Sequence, residues 1–306
     1  MRLIDVSSWA GDDQHEIFPV GARDKKMIWS PSEVVNDGLK CRWPYLFKES
    51  ISRYPDQFWT EVIAYIISKH LSVEVPLAYP AIYTDCDGQH FGSLIEWFYD
   101  EKSENFIHAE QFFKRINPDF DEKLGTQHNL RDLKSICRFL KQRANLQNDI
   151  LLWLSDIALF DCLIGNTDRH QENWGVIFKP DNTSFLSPLF DNGTSLGHER
   201  FPSRVAGWDE NRLKQYIDKG QHHLRYVRDK PELRIKLYDL IKMLAGNEKL
   251  KTYMLNKITS FDIVAALDEI SELTSIECEV PFSKERFDWV SRIISMRFKL
   301  IKEVFK

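Results

Sequence analysis

Residues 160–197 read FDCLIGNTDRHQENWGVIFKPDNTSFLSPLFDNGTSLG. An apolar segment stops at Gly165-Asn166. Asp168 follows, Asn173 comes five residues later, and Asp191 opens an Asp-Asn-Gly turn. Each of the three alone is an ordinary turn residue. In this order they match the needs of phosphoryl transfer. One carboxylate sits beside an attacking hydroxyl, and an amide and a second carboxylate hold the magnesium that neutralises the phosphates. Gly175–Phe178 and 185–190 flank the turn Lys179-Pro180-Asp181-Asn182, a pattern that predicts a hairpin. Such a hairpin brings Asn173 and Asp191 to the same end of two strands, where they can share a metal ion. Asp168 is therefore the catalytic candidate, and Asn173 and Asp191 are the metal candidates. Arg169 is placed to pair with a carboxylate or to contact a phosphate. His170 reads as an orienting residue of the same loop, on the nucleotide side, rather than a base.

Upstream, the same chemistry needs a lysine for the nucleotide phosphates. Lys48 ends the apolar run Tyr45-Leu46-Phe47 and precedes a helix expected over 56–71, started by Pro55-Asp56. Phe58, Val62, Tyr65 and Ile66 form its apolar stripe, and Glu61 lies on the flank. A carboxylate at the edge of a buried face requires a partner. A strand lysine paired to a helix glutamate is the arrangement that fixes the α- and β-phosphates in kinases, so Lys48 and Glu61 join the catalytic set. Lys26 closes a short stretch, Val20 to Lys26, that offers backbone N–H groups to a phosphate. Backbone groups of Glu96, Trp97 and Phe98 are placed where a hinge would meet adenine. No G-x-x-x-x-G-K-[ST] occurs, which excludes a P-loop enzyme.

The chain has 306 residues, 43% hydrophobic and 28% charged, with a net charge of −5. This balance is that of a folded protein large enough for two lobes. Mixed charge argues against a general nucleic-acid footprint, so no direct nucleic-acid binding is expected. The five cysteines form no C-x-x-C pair and read as reduced thiols in a cytoplasmic setting. The start MRLIDVSSWAGDD turns acidic too early for a signal peptide. The most apolar helix, from Asp149 to about Ile164, is interrupted by Ser155, Asp156 and Asp161. It is too short and polar to span a bilayer, so no membrane partner is expected. Strands are expected over 16–20, 26–29, 43–47, 78–83 and 91–97, helices within 101–149, and helices throughout 209–306, closing with one over 285–305. The pattern predicts an α+β bilobal fold. A strand-rich nucleotide-binding lobe over 1–100 precedes a mostly helical catalytic lobe over 101–306.

The chain resembles the HipA-like kinases. Gly21-Ala-Arg-Asp-Lys-Lys26 is similar to their short glycine-and-lysine signature, Tyr45-Leu-Phe-Lys48 to their nucleotide strand, and Phe58-Trp-Thr-Glu61 to the helix start after it. Gly165-Asn-Thr-Asp-Arg-His-Gln-Glu-Asn173 and Pro188-Leu-Phe-Asp-Asn192 match their two most specific motifs. The resemblance spans about 20–197, is of the short form, and implies a protein-kinase-like fold. It further implies a serine/threonine protein kinase using ATP and Mg2+, toxin-like and able to autophosphorylate, with Ser30, Ser32, Ser50 and Ser52 as candidate acceptors. A protein substrate in the translation machinery, such as an aminoacyl-tRNA synthetase, and a HipB-like antitoxin are the partners it implies. The implied setting is the bacterial cytoplasm, with action in its own cell or, after export, in another.

Three other readings compete. Asp168-Arg-His-Gln-Glu-Asn173 also fits the D-R-H-x-x-N loop of phosphoinositide kinases, but Pro188-Leu-Phe-Asp191 replaces their H-x-D-F-G and no basic cluster follows. A small-molecule phosphotransferase shares the Asp-to-Asn spacing, yet usually carries His where this chain has Asn166. A nucleotide-binding pseudokinase commonly lacks one of Lys48, Glu61, Asp168, Asn173 and Asp191, all present here.

Overall fold

A computed structural model describes residues 1–11, 24–34, 38–230 and 232–306. The strand expected over 16–20 and most of the loop from Val20 to Lys26 lie outside the described residues. The first part is built from β1 (Ile4–Asp5), β2 (Ala10–Gly11), β3 (Lys25–Trp29), β4 (Pro44–Glu49), helix α1 (Trp59–Leu71), β5 (Ala78–Asp85) and β6 (Gly88–Glu96). Its strands form one sheet in the order β1-β5-β6-β4-β3-β2. All pairs are antiparallel except β1 with β5. Strand β4 sits inside this sheet, so Lys48 is flanked by Lys25 on β3 and Ser93 on β6.

The second part adds β7 (Asn105–His108), α2 (Ala109–Ile116), α3 (Leu130–Arg143), α4 (Ile150–Ile164), β8 (Gly175–Phe178), β9 (Ser184–Leu186), α5 (Pro202–Val205) and α6 (Glu210–Ile217). It ends with β10 (Gln221–Arg225), β11 (Arg234–Lys236), α7 (Leu237–Ala245), α8 (Glu248–Ser260), α9 (Ile263–Glu272) and α10 (Lys284–Val304). Strands β7, β8 and β9 form a small sheet in that order, and β8 and β9 are the predicted hairpin. Strand β7 was not expected; its backbone takes the free edge of β8, from Asn105 opposite Phe178 to His108 opposite Gly175. The reading of 209–306 as helical throughout is also corrected. The short antiparallel pair β10–β11 interrupts it, because Arg225 and Arg234 tie that segment to the loops beside the catalytic one.

Helix α1 departs from its predicted single stripe. Trp59, Val62, Ile63, Ile66 and Ile67 are all buried, whereas Tyr65 is only half-buried. A helix buried on nearly every side lies between two layers rather than on a surface. Here the sheet covers one side and α4, α8 and α9 the other. Its N-terminal end is tied as well: Trp59 Nε1 donates to the Val280 carbonyl at 3.0 Å, and Arg286 Nε donates to Asp56 at 2.7 Å. The largest core therefore runs without a break from α1 through α4 to α10. Helix α4 starts on an N-cap, where Asp149 accepts from the Leu151 N–H at 2.9 Å, and ends on Gly165 at φ +72°. That left-handed end turns the chain directly into the loop carrying Asp168. Among the described residues no helix is long and apolar enough to cross a membrane.

Candidate active site

Three separate stretches of chain converge on one point. Lys48 is 6% exposed on β4, and its ammonium lies 3.0 Å from Glu61 Oε1 and 2.6 Å from Asp191 Oδ1. The partner that Glu61 required is thus the predicted lysine. The second Glu61 oxygen accepts from the Asn192 N–H at 2.9 Å. One carboxylate on α1 therefore fixes both Lys48 and the turn that follows Asp191. The approach of β6 to β4 depends on Gly92: a Cβ there would stand 2.6 Å from the Lys48 carbonyl oxygen. Only glycine lets the two strands close at that point.

The catalytic loop is shaped by its own polar side chains. Asn166 Oδ1 accepts from the Asp168 N–H at 2.9 Å. Asn173 Nδ2 donates to the Asp168 carbonyl at 2.8 Å. That bond uses the amide nitrogen of Asn173 and leaves its Oδ1, the end with lone pairs for a cation, without a hydrogen bond from any described residue. The Asp168 carboxylate likewise receives no hydrogen bond from a described residue. Burial pushes the Asp168 carboxyl above the ordinary carboxylate range and Asp191 pushes it the same way, while His170, Arg234 and Arg169 pull it down. Asp191 itself sits at φ +56°, a left-handed backbone that Asp tolerates better than most residues. A site with an unsatisfied carboxylate, an unsatisfied amide oxygen and a second carboxylate on a left-handed turn fits a hard cation with oxygen ligands. Asn173 and Asp191 would hold Mg2+, and Lys48 would meet the phosphates of ATP.

Several assignments change. Arg169 is 4% exposed, and its guanidinium is spent on the protein: Nη2 lies 2.8 Å from Asp161 Oδ1 and donates to Asn192 Oδ1 at 2.7 Å, and Nη1 donates to the Phe190 carbonyl. It takes the carboxylate-pairing role: the buried guanidinium makes four hydrogen bonds inside the protein, to Asp161, Asn192 and Phe190, which turns it away from a phosphate. Lys26 lies opposite Phe47 in the β3–β4 ladder, hence on the sheet face away from Lys48. Its ammonium packs 4.0 Å over the Tyr83 ring and 3.4 Å from Asp85, which removes it from the nucleotide set. At the hinge, the Glu96 N–H donates to the Leu77 carbonyl at 2.8 Å and the Trp97 N–H to the Pro44 carbonyl at 3.1 Å. The Trp97 carbonyl accepts from Trp43 Nε1 at 2.8 Å, and the Glu96 carboxylate pairs with Lys40 at 2.7 Å. Of the three residues, Phe98 is the one whose backbone makes no hydrogen bond among the described residues. The Phe98 ring stacks on Phe190 at 5.1 Å and so links the hinge to the residue before Asp191. His170 Nδ1 accepts from the Glu172 N–H at 3.2 Å, the orienting role read from the sequence, and its ring borders His223 rather than Lys48.

Sequence reasoning missed the residues that brace this loop. Asp161 is fully buried on α4 and anchors Arg169. It had a visible signal, an acid inside an apolar helix eight residues before an arginine. Arg234 on β11 donates to the Thr167 carbonyl at 2.7 Å, and Gln57 Nε2 donates to the Gly193 carbonyl at 2.8 Å. Neither spacing carries a signal, since each contact crosses between distant parts of the chain.

No curated protein sequence matches the chain. The crystal structure of the Helicobacter pylori proinflammatory kinase CtkA is similar with a TM-score of 0.73 at 18% identity, covering 99% of this chain and 96% of that one. The fold is therefore the α+β, kinase-like one. HipA of Shewanella oneidensis MR-1, in a complex with HipB and operator DNA, aligns with a TM-score of 0.46 at 11% identity, over 95% of this chain and 68% of that one. The profile of the HipA-like C-terminal domain matches residues 19–230, which hold strands β3 to β6 of the sheet, α1, the loop carrying Asp168 and the Asp191 turn. This chain belongs to the family of HipA-like C-terminal domains.

Proposed function

We propose that the protein is a HipA-type serine/threonine protein kinase that uses ATP and Mg2+. The observation that carries this reading is the convergence of Glu61, Lys48 and Asp191 from three parts of the chain, close to a loop whose Asp168 carboxylate is unengaged by described hydrogen-bond donors. A bound magnesium ion would supply charge neutralisation of the phosphates. Lys48 positions the phosphates, held by Glu61. Asn173 and Asp191 offer oxygens to the ion. Asp168 orients the acceptor hydroxyl and takes its proton late in the transfer. Arg169 keeps the Asp168 loop and the Asp191 turn in register by bridging Asp161, Phe190 and Asn192.

Autophosphorylation is part of the proposal, and burial narrows its acceptors. Ser30 is buried, with its hydroxyl donating to the Lys40 carbonyl at 2.6 Å. Ser50 Oγ accepts from the Phe58 N–H at 2.8 Å. Ser32 and Ser52 are exposed and are the acceptors we expect. A protein substrate in the translation machinery, a HipB-like antitoxin and a cytoplasmic setting accompany the proposal as properties implied by the family resemblance.

The test is incubation of the purified chain with Mg2+ and γ-labelled ATP beside Asp168→Asn, with mass spectrometry of the protein and of added lysate proteins. Label on serine or threonine in the wild type alone is the expected result. Magnesium-dependent ATP binding with no label on any protein would replace the kinase with a pseudokinase. No ATP binding at all would remove the nucleotide site.

A further inference from the structure

Asp168 also lines a cavity of about 470 Å3 together with Thr194, Arg200, Lys219 and Arg297. Its volume is that of a site for a small ligand or a few side chains. Arg297 lies on α10 and is 4% exposed. Its Nη1 donates to the Cys162 carbonyl at 3.1 Å, near the end of α4. Its Nε is buried without a hydrogen-bond partner, its Nη2 makes none, and no described carboxylate pairs with it. The α4 C-terminus supplies about half a negative charge, which leaves the guanidinium undercompensated. A Cβ on Gly165 would stand 2.6 Å from Nη2, so glycine at that left-handed position is what admits the group.

Two more donors in the cavity lack acceptors. Thr194 Oγ1 is buried and unpartnered, and the exposed Lys219 ammonium pairs with no described residue. The other charges are already matched. Arg200 pairs with Glu199 at 3.3 Å, Glu199 also accepts from the Tyr216 hydroxyl at 2.7 Å, and Arg234 is spent on backbone carbonyls. Burial holds His223 down to about 3, so this lining residue contributes a neutral ring. The unmatched positive groups are Arg297 and Lys219, in the cavity that the catalytic carboxylate shares.

We propose that this cavity is an acceptor-side subsite that binds one anionic side chain, a carboxylate or a phosphoryl group, close to the hydroxyl presented to Asp168 on a polypeptide substrate. The link to a hydroxyl rests on the kinase reading above; the anion site itself does not. A guanidinium with two free nitrogens and a nearby hydroxyl suits one planar or tetrahedral oxyanion. A multiply phosphorylated lipid headgroup suits it less, since Asp168 and Glu199 line the same space.

The experiment uses serine peptides in which glutamate, phosphoserine or glutamine is walked through the positions on each side of the acceptor. Peptide binding is read by calorimetry and transfer by kcat/KM. Wild type should favour an anionic peptide over its glutamine match at one position, on the order of 10-fold. The glutamate and phosphoserine arms identify which anion is used. Arg297→Gln and, separately, Lys219→Gln should remove that preference, whereas Asp191→Asn should keep the binding and lose the transfer. If Arg297→Gln fails to fold by circular dichroism, Lys219→Gln and Thr194→Val carry the test. Anion binding by a wild type that transfers no phosphate would retire the kinase reading and leave the subsite standing. Equal binding of the three peptides, or a preference untouched by the variants, would overturn the subsite. Tighter binding of the soluble headgroup glycerophosphoinositol 4-phosphate than of any peptide would overturn its assignment to a polypeptide.

Discussion

Asp168 is kept in a setting that disfavours its own charge. Burial and the nearby Asp191 raise its pKa above the ordinary 3.8. The folded state then binds its proton more tightly than the unfolded chain, so stability falls as pH rises from the unfolded pKa through the raised folded one, and the loss persists at higher pH. Asp168→Asn removes the penalty. We expect the variant to lose transfer by about 10²–10³-fold or more, while the nucleotide-free protein melts at a higher temperature at pH 7. The melting difference should shrink as the pH is lowered and the carboxyl protonates. A variant that melts lower at pH 7, or keeps near-normal turnover, would contradict this account of Asp168. Arg169 shows the opposite case, a charge whose contacts are all internal. Sequence could place it beside the site but not orient it, because Asp161 and Asn192 reach it only once α4 and the Asp191 turn are packed together.

Among the elements, β4 and its neighbour β6 decide where Lys48 stands. Gly92 permits their close approach, and any side chain there meets the Lys48 backbone or the Phe47 ring. Gly92→Ala is expected to destabilise the protein by about 1–3 kcal/mol through overpacking. It should also weaken Mg-ATP binding by roughly 10-fold, since the lysine moves with its strand. Gly207→Ala is the control, because a Cβ there meets nothing within 4 Å. Urea denaturation and calorimetric titration of both variants check the pair; equal effects would remove the close-approach argument. Strands β3 to β6 of this sheet were legible because each is a short apolar run between turn residues, whereas the two-residue strands β1 and β2 were not expected. Strand β7 was not legible, since its pairing depends on a distant edge offered by β8 rather than on its own pattern.

At the scale of the molecule, α1 joins the two parts instead of riding on one. The family profile ends at residue 230, but the core it shares continues through Ile235, Leu240, Met254, Ile270 and Ile301. Removing that stretch would expose the far side of α1 and of α4 to water, at about 25 cal/mol for each Å2 uncovered. We expect a fragment of residues 1–230 to be unfolded or molten, with near-UV circular dichroism lost and no Mg-ATP binding. We also expect the whole chain to melt in one transition by tryptophan fluorescence and far-UV dichroism. A folded, nucleotide-binding fragment would show instead that the C-terminal helices are an accessory layer.

The sequence by itself determined which residues make up the candidate site. Asp168, Asn173 and Asp191 are local motifs whose spacing survives any packing, and the requirement that Glu61 find a cation follows from its place on a buried helix flank. The hairpin was legible from alternation and turn residues, and the end of α4 from Gly165-Asn166. Only the tertiary structure decided which cations serve that site. Lys48 and Lys26 both lie on strands of the sheet, and the ladder register alone puts them on opposite faces. The hinge groups are divided by hydrogen bonds to Pro44 and Leu77, and Arg297 reaches the cavity beside Asp168 from more than a hundred residues away. Those contacts join positions far apart in the chain, and no periodicity or spacing in a single sequence encodes them.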